Sequence, residues 1–463
     1  MAATHCAEKM RLEGVSEACI SSFLAQHEAV ASGATGCIPE SAIEPASNLL
    51  RHAELTTVEN VELLKATVVL KLNGGLGTSM GLDTAKSLLE VKDKNNFLDF
   101  IAKQILTFRE EYNLPLRFML MNSFSTSLDT KTFLSKYDAF QDTFHSQVEL
   151  MQNKVPKIRQ DNFEPAAYIE DITQEWCPPG HGDLYAALFG SGKLQSLLEE
   201  GYKYMFVSNS DNLGATLDLR LLSYMADGGF DFIMEVCERA EADKKGGHLA
   251  QCKKTGKMLL RESAQCPKED EVEFQNISKH KFFNTNNLWI NLPSLHKVMM
   301  REGGMLHLPV IRNSKTVNPT DSSTVKVFQL ETAMGTAISS FDNATAIVVG
   351  RERFSPVKTC NELLALRSDA YMVTPDFRLI LNASRNGNPP VISLEDKHYK
   401  FVSQFEKLVG TAVPSLVGCN RLKVVGEIEF GEGVVLQGDV VITNSDGVRK
   451  TVPSGTWTGS VQL

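Results

Sequence analysis

No apolar run in this sequence approaches the roughly 20 residues that a membrane-spanning helix needs. The opening stretch Met1–Met10 lacks the charged-then-apolar layout of a secretory leader. The final Val461-Gln462-Leu463 is not the usual peroxisomal tripeptide. Nine cysteines, an odd number, include no Cys-x-x-Cys pair, which fits reduced thiols in a reducing compartment. Positive charge is in short supply: the formal net charge is -9. That argues against nucleic acid or an anionic membrane as the main partner, while leaving room for a local basic pocket. A cytoplasmic location is the expectation. Two further absences bear on chemistry. There is no Gly-x-x-x-x-Gly-Lys-Ser/Thr run, which excludes a P-loop, and Gly75, Gly77 and Gly81 are spaced one residue too widely for the Gly-x-Gly-x-x-Gly dinucleotide fingerprint. Nor is there a paired-carboxylate or Ser-His-Asp signature of general-base or nucleophilic catalysis.

What is present is a chain of 463 residues, 43% hydrophobic and 22% charged, enough for a large core in two or three domains. Its centre of gravity is a glycine-dense turn. Thr67 to Leu70 and Leu72, interrupted only by Lys71, read as a buried strand. The strand runs into Asn73-Gly74-Gly75-Leu76-Gly77-Thr78-Ser79-Met80-Gly81. Glycines let backbone N–H groups approach a ligand closely, and a nest of such donors favours phosphate. Lys86, just beyond, adds a full positive charge. The turn by itself also fits a plain strand-to-helix connection.

Four other stretches carry polar residues at informative places. Trp176-Cys177-Pro178-Pro179-Gly180-His181-Gly182-Asp183 is a stiff loop before a helix opening at Leu184. It suits a planar base edge, or is a structural turn capped by His181. Tyr204 to Ser208 is an apolar strand that delivers Asp211, either a Mg²⁺ ligand or a turn aspartate. Lys244-Lys245-Gly246-Gly247-His248, Glu262 and Phe282-Phe283-Asn284-Thr285-Asn286-Asn287 offer neutral donors and acceptors suited to sugar hydroxyls, although Asn runs are ordinary in turns. Phe354-Ser355-Pro356-Val357-Lys358-Thr359 places a second lysine in a Pro-stiffened segment.

Around these motifs, residues 10–31 read as helical, with Ser16 able to cap a second segment, and Gly33 to Ser47 as a linker. From Ala66 onward strands (Leu116–Met121, Tyr204–Ser208, Phe230–Val236) alternate with helices, one with the face Phe97, Ile101, Ile105, Phe108. The alternation predicts an α/β, doubly wound, mainly parallel sheet with ligands beyond the carboxyl ends of its strands. After about residue 400 the period changes. Leu422, Ile428, Val434 and Val440 recur every six residues, as do Val424, Phe430, Leu436 and Ile442, with Gly426 and Gly438 in a third phase. The hexad predicts a parallel β-helix with a core of its own, separable from the chemistry.

Taken together, Leu72-Asn73-Gly74-Gly75-Leu76-Gly77, Pro178 to Asp183, Ser210-Asp211-Asn212-Leu213-Gly214, Phe283 to Trp289 and Gln329-Leu330-Glu331-Thr332-Ala333 closely resemble the eukaryotic-type UDP-glucose pyrophosphorylases. The resemblance runs from about Val68 to Val440. Ser79 and Ala85 stand where the wider sugar-nucleotidyltransferase superfamily usually has Arg and Pro. The resemblance implies a nucleotidyltransferase (Rossmann-like) domain over residues 61–390, to which the residue patterns add a helical N-terminal region over 1–60 and a left-handed parallel β-helix over 391–463. It also implies formation of UDP-glucose and pyrophosphate from UTP and glucose 1-phosphate with Mg²⁺. Leu72, Asn73, Gly74, Gly75, Gly77, Thr78 and Gln152 would hold the UTP, with Gly180 on the base and His181 and Asn209 near the nucleotide sugar. Asp211 would bind Mg²⁺, while Gly247, Glu262, Asn284 and Asn286, with His181, would surround the sugar phosphate. Lys86 and Lys358 would face the phosphates as the catalytic pair. A UDP-N-acetylhexosamine or broad UDP-sugar pyrophosphorylase, and a non-catalytic regulatory subunit of the same fold, are the competing readings. Homo-oligomerisation through the C-terminal region is compatible with the sequence.

Overall fold

A computed structural model describes residues 1–141 and 148–463. Helices α1 (Ala2–Leu12) and α2 (Glu17–Ala31) open the chain. The helix expected over residues 10–31 is thus divided near Gly14, and Ser16 caps the second part by accepting the Cys19 N–H. Strands β1 (Ile43–Pro45) and β2 (Leu50–Arg51) follow, then β3 (Thr67–Asn73), α3 (Phe97–Tyr112), β4 (Arg117–Asn122) and β5 (Glu149–Met151). After α4 (Leu184–Gly190) come β6 (Tyr204–Asn209), α5 (Leu219–Asp227), β7 (Phe232–Glu238), β8 (His248–Cys252) and β9 (Met258–Arg261). Then β10 (Phe282–Asn291), α6 (Leu292–Arg301) and β11 (Ala344–Val348) complete the central sheet and its flanking helices.

The sheet has the order β2-β11-β7-β10-β6-β3-β4-β5, with β1, β8 and β9 off one side. It is parallel except for β10, which runs antiparallel to β6 and β7, and for the β1, β8 and β9 excursion. Part of the expected linker is therefore sheet: β1 pairs antiparallel with β8. Alternation along β3 sorts its side chains to opposite faces. Val69 joins Phe97, Ile101, Phe206 and Leu221 under α3 and α5, while Val68 and Leu70 join Leu184, Leu188, Leu292 and Leu295 under α4 and α6. Two apolar faces covered by helices are what a doubly wound sheet requires. The N-terminal pair packs Cys19, Ile20 and Phe23 against Val155, Cys177, Ala186 and Leu330, behind the Pro-Pro-Gly loop.

Beyond α7 (Cys360–Arg367), strands β12 (Val391–Leu394), β13 (Ser415–Val425), β15 (Val434–Thr443) and β17 (Gly455–Gln462) stack in parallel, and β14 (Ile428–Phe430) pairs with β16 (Lys450–Val452), also in parallel. Leu422 lies opposite Val440 and Val424 opposite Ile442, so like phases of the hexad stack three hexads apart. All eight apolar hexad residues are buried. They do not form a core of their own, however. The same contiguous cluster holds Leu363, Tyr399 and Phe405, and the Tyr399 hydroxyl donates to the Ile428 carbonyl. Phe401 reaches the glycine turn itself, where a Cβ on Gly81 would stand 2.9 Å from its ring.

One buried polar network crosses the sheet. Glu235, fully buried on β7, accepts two hydrogen bonds from Arg353, both 2.7 Å, one from Trp289 Nε1 and one from Asn287 Nδ2. Glu235→Gln leaves the buried guanidinium without its counter-charge, and breaking a buried pair from one side costs roughly 3–5 kcal/mol. A loss of that size in urea unfolding is expected, and a midpoint within error of the native protein refutes the assignment.

Candidate active site

The carboxyl ends of β3 and β6 lie side by side, with Leu72 opposite Asn209. Asn73 closes β3 by donating from Nδ2 to Asn122 Oδ1 and Thr130 Oγ1, both 2.8 Å, so its side chain anchors the turn from beneath. The turn then folds back. Gly77 and Gly81 have φ of 71° and 74°, conformations that cost an L-residue strain, and the Lys86 N–H donates to the Gly75 carbonyl. Among the described residues, the N–H groups of Gly75, Leu76 and Gly77 have no acceptor in the protein. Thr78 lies in the single turn Thr78–Met80 that follows.

Lys86 and Asp211 meet across this nest at 2.7 Å, and Lys358 reaches the same Asp211 Oδ2 at 3.2 Å. Lys86 also donates to the Val357 carbonyl. Burial alone would raise the Asp211 carboxyl, but the charges of Lys358 and Lys86 outweigh it and hold the group below its usual range. Its other oxygen, Oδ1, is buried with no hydrogen-bond partner. The two lysines differ in freedom: the Lys86 side chain is 16% exposed and that of Lys358 59%, so Lys86 is held in place and Lys358 can swing. The Lys358 segment is fastened to β6's end by Val357 N–H to the Asp211 carbonyl and Ser355 N–H to Asn212 Oδ1.

On one side of the nest, Gln152 joins two loops. Its Nε2 donates to the Gly180 carbonyl at 3.0 Å, and a Cβ on Gly74 would sit 2.5 Å from its Oε1. Gly180, at φ 77°, presses on Thr332, whose carbonyl oxygen lies 2.5 Å from where a Cβ would be. Thr332 N–H donates to the Pro179 carbonyl and Gly182 N–H to the Thr332 carbonyl. Only glycine allows that contact. His181 Nδ1 accepts the Met334 N–H at 2.9 Å, which leaves Nε2 as the protonated nitrogen. Burial, with Lys358 adding to it, pushes this imidazole down to about 4, so it is neutral near pH 7.

On the other side, register places His248 opposite both Arg261 and Phe283, which brings Gly247, Glu262 and Asn284 together. A Cβ on Gly247 would meet Glu262 Oε2 at 2.4 Å. Asn284 Nδ2 donates to Asn286 Oδ1, and the Asn286 N–H returns to Asn284 Oδ1; Asn286 sits at φ 60°. Burial raises the Glu262 carboxyl.

The residues singled out in the sequence thus converge along one edge of the sheet. Sequence reasoning passed over several that hold them. Thr332 lies in a motif given no role. Asp183 ends the Pro-Pro-Gly loop and accepts the Asn153 N–H at 2.7 Å. Glu235 and Arg353 were missed altogether, although a lone carboxylate within the apolar run Phe232 to Cys237 was a usable signal.

No group of three or more His, Cys, Asp or Glu able to hold a metal occurs among the described residues. A cation at Asp211 Oδ1 would draw most of its ligands from substrate, as a phosphate-bound Mg²⁺ does. Paired lysines beside unpartnered backbone donors suit phosphate transfer between small anions, and the class is a nucleotidyltransferase of α/β type. Residues 19–437 match the profile described as UTP–glucose-1-phosphate uridylyltransferase, and the chain belongs to that family. It is 42% identical over 398 residues to the UTP–glucose-1-phosphate uridylyltransferase of Saccharomyces cerevisiae, covering 86% of this chain and 78% of the yeast protein. With the Solanum tuberosum enzyme of that name it shares 40% over 402 residues, 86% of this chain and 81% of the other. Among solved structures, a Trypanosoma brucei UDP-glucose phosphorylase superposes with a TM-score of 0.93 at 57% identity, covering 100% of this chain and 99% of that one. A point mutant of the Leishmania major UDP-glucose pyrophosphorylase, solved in complex with UDP-glucose, gives 0.96 at 55% with the same coverage.

Asp183 makes the packing of the Pro-Pro-Gly loop pH-dependent. Burial pushes its carboxyl up to about 7, against opposing hydrogen bonds from Asn153 and Cys19. Unfolded, an aspartate titrates near 3.9. Between those values the folded chain keeps a proton the unfolded chain has lost, so stability falls as pH rises from about 4 to about 7. Asp183→Asn abolishes that fall. From pH 4.5 to 8 its stability relative to the native protein should improve by roughly 2–4 kcal/mol in urea titrations, and a constant difference contradicts the assignment.

Proposed function

We propose that the site works by positioning and charge neutralisation, with each cluster holding one part of the reactants. The enzyme is a uridylyltransferase that forms UDP-glucose and pyrophosphate from UTP and glucose 1-phosphate. In our reading the nest Leu72, Asn73, Gly74, Gly75, Gly77 and Thr78 takes the nucleotide, and Gln152 and Gly180 read the base edge. His181, as a neutral Nε2–H donor, and Asn209 flank the nucleotide sugar. Gly247, Glu262, Asn284 and Asn286 take the glucosyl hydroxyls. Asp211 would hold Mg²⁺, which when bound supplies charge against the phosphate oxygens.

A phosphate oxygen of the sugar attacks the α-phosphorus in line, the bond to pyrophosphate breaks, and no proton has to move. That nucleophile is ionised at neutral pH, so the absence of a general-base signature is expected. The obstacle is repulsion between anions: unit like charges at about 4 Å cost roughly 1 kcal/mol in water and several times more in a screened pocket. Lys86 and Lys358 are the protein's means of offsetting it, as in phosphoryl transfer generally. The observation that carries this reading is the meeting of both lysines on one oxygen of Asp211, with the other oxygen unpartnered. Release of pyrophosphate from UTP, glucose 1-phosphate and Mg²⁺ by the purified protein tests it, and a panel of other sugar 1-phosphates defines its sugar specificity.

For the remainder of the chain we propose an N-terminal helical pair, followed by residues 43–51 pairing into the central sheet, a catalytic domain over 61–390, and a left-handed β-helix from 391, which the three-hexad stacking of β13 on β15 supports. No helix among the described residues is long and apolar enough to cross a membrane, and a cytoplasmic enzyme is the proposal. Assembly into a homo-oligomer through the C-terminal strands belongs to the same proposal.

Lys86→Ala should lower kcat on the order of a hundredfold or more, as expected for loss of a preorganised charge donor, with the circular dichroism spectrum unchanged. Near-normal turnover of the folded variant removes Lys86 from the mechanism. Asp211→Asn should raise the Mg²⁺ concentration needed for half-maximal activity, because a neutral amide no longer offsets the ion's charge. An unchanged half-saturation point means that the substrate phosphates hold the metal unaided.

A further inference from the structure

Behind the sheet, on the face away from α4, lies a cavity of about 240 Å³ between β3 and α3. Val69, Ile101, Ile105, Phe108 and Leu116 give it apolar walls, and Lys71 lines it from β3; of the other charged groups on its lining, Asp376 is paired with Arg378 at 2.5 Å and Glu111 is exposed at the surface. Lys71 is 3% exposed. Its Nζ donates to Ser208 Oγ at 2.7 Å and to the Ala215 carbonyl. An ammonium has three N–H groups, and beyond these two acceptors the described residues offer it only the face of the Phe206 ring, 5.6 Å away. A buried donor left without a partner costs roughly 1–3 kcal/mol. Burial pushes this ammonium down to about 7, with Arg353 adding to the effect and Glu235 opposing it. An acceptor carrying negative charge, entering through the cavity, would satisfy the third N–H and restore the charge. A cavity of about 150 Å³ holds benzene, so this one has room for a second fused ring.

We infer that this cavity is a binding site for a small aromatic monocarboxylate, its rings against Ile105 and Phe108 and its carboxylate on Lys71. The site is separate from the reaction centre but coupled to it. Lys71 directly precedes Leu72 of the nucleotide nest, and its partner Ser208 directly precedes Asn209 on the strand that delivers Asp211. An occupant that moves Lys71 moves the ends of both strands.

The test uses the full chain and 2-naphthoate, with 2-naphthamide as a neutral isostere, in titration calorimetry at pH 7. The acid should bind with Kd below about 1 mM and at least tenfold tighter than the amide. Lys71→Met and Ile105→Trp, the second of which fills the cavity, should each weaken it at least tenfold. Saturating acid should change the KM for UTP at least twofold in the native enzyme and leave that of Ile105→Trp unchanged. No binding by the native protein, equal binding of acid and amide, or undiminished binding by a folded Ile105→Trp overturns the assignment. If neither variant folds, the acid–amide comparison on the native protein decides it. An unchanged KM for UTP with the acid bound overturns the coupling.

Discussion

Two charged groups almost without access to water, Glu235 and Arg353, tie the middle of the sheet to the segment that carries Lys358. Withdrawing such a pair from water costs several kcal/mol per ion, and the arrangement survives only with near-complete hydrogen bonding. Here Trp289 and Asn287 from β10 fill the remaining acceptor positions of Glu235. Asn287 and Asn212 both donate to the Arg353 carbonyl, and Asn212 accepts from Ser355. A chain of satisfied polar groups therefore runs from the sheet interior to Lys358 and Asp211. It defines where the second lysine begins its excursion, which no apolar contact would specify as sharply.

The antiparallel strand β10 belongs to the same constraint. It inserts between β6 and β7 and contributes Trp289 and Asn287 to the buried network, while its other end supplies Asn284 and Asn286. One strand thus links the charge network to the amide cluster. Its pairing with β8 then brings Gly247 and Glu262 to those amides.

Close approach governs the opposite wall. Gly180 and Gly182 lie so near Thr332 that any Cβ would overlap it, and Gly74 lies against the end of the Gln152 side chain. These contacts convert two separate loops into one rigid cleft without a large apolar surface. The C-terminal region leans on the same part of the molecule: Phe401, between β12 and β13, packs on Gly81, and the hexad side chains share their core with α7. The apolar core continues across the boundary at which the period changes in the sequence, so the tail is not an independent unit.

The amino-acid order alone determined the strand-and-turn character of Thr67 to Gly81, the alternation that makes a mainly parallel sheet, the inward hexad phases and the identity of the chemical groups. Each is local: period, glycine content and residue type act within a few positions of the chain. The antiparallel course of β10, the sheet pairing of Ile43–Pro45 and the merging of the hexad core with the main domain depend on partners far away in sequence. So does the meeting of Lys86, Asp211 and Lys358, whose spacing along the chain says nothing of their 2.7 and 3.2 Å contacts. Sequence order named the charges. Only the packing of strands, and the cost of leaving Glu235 unpaired inside them, brought those charges to one point.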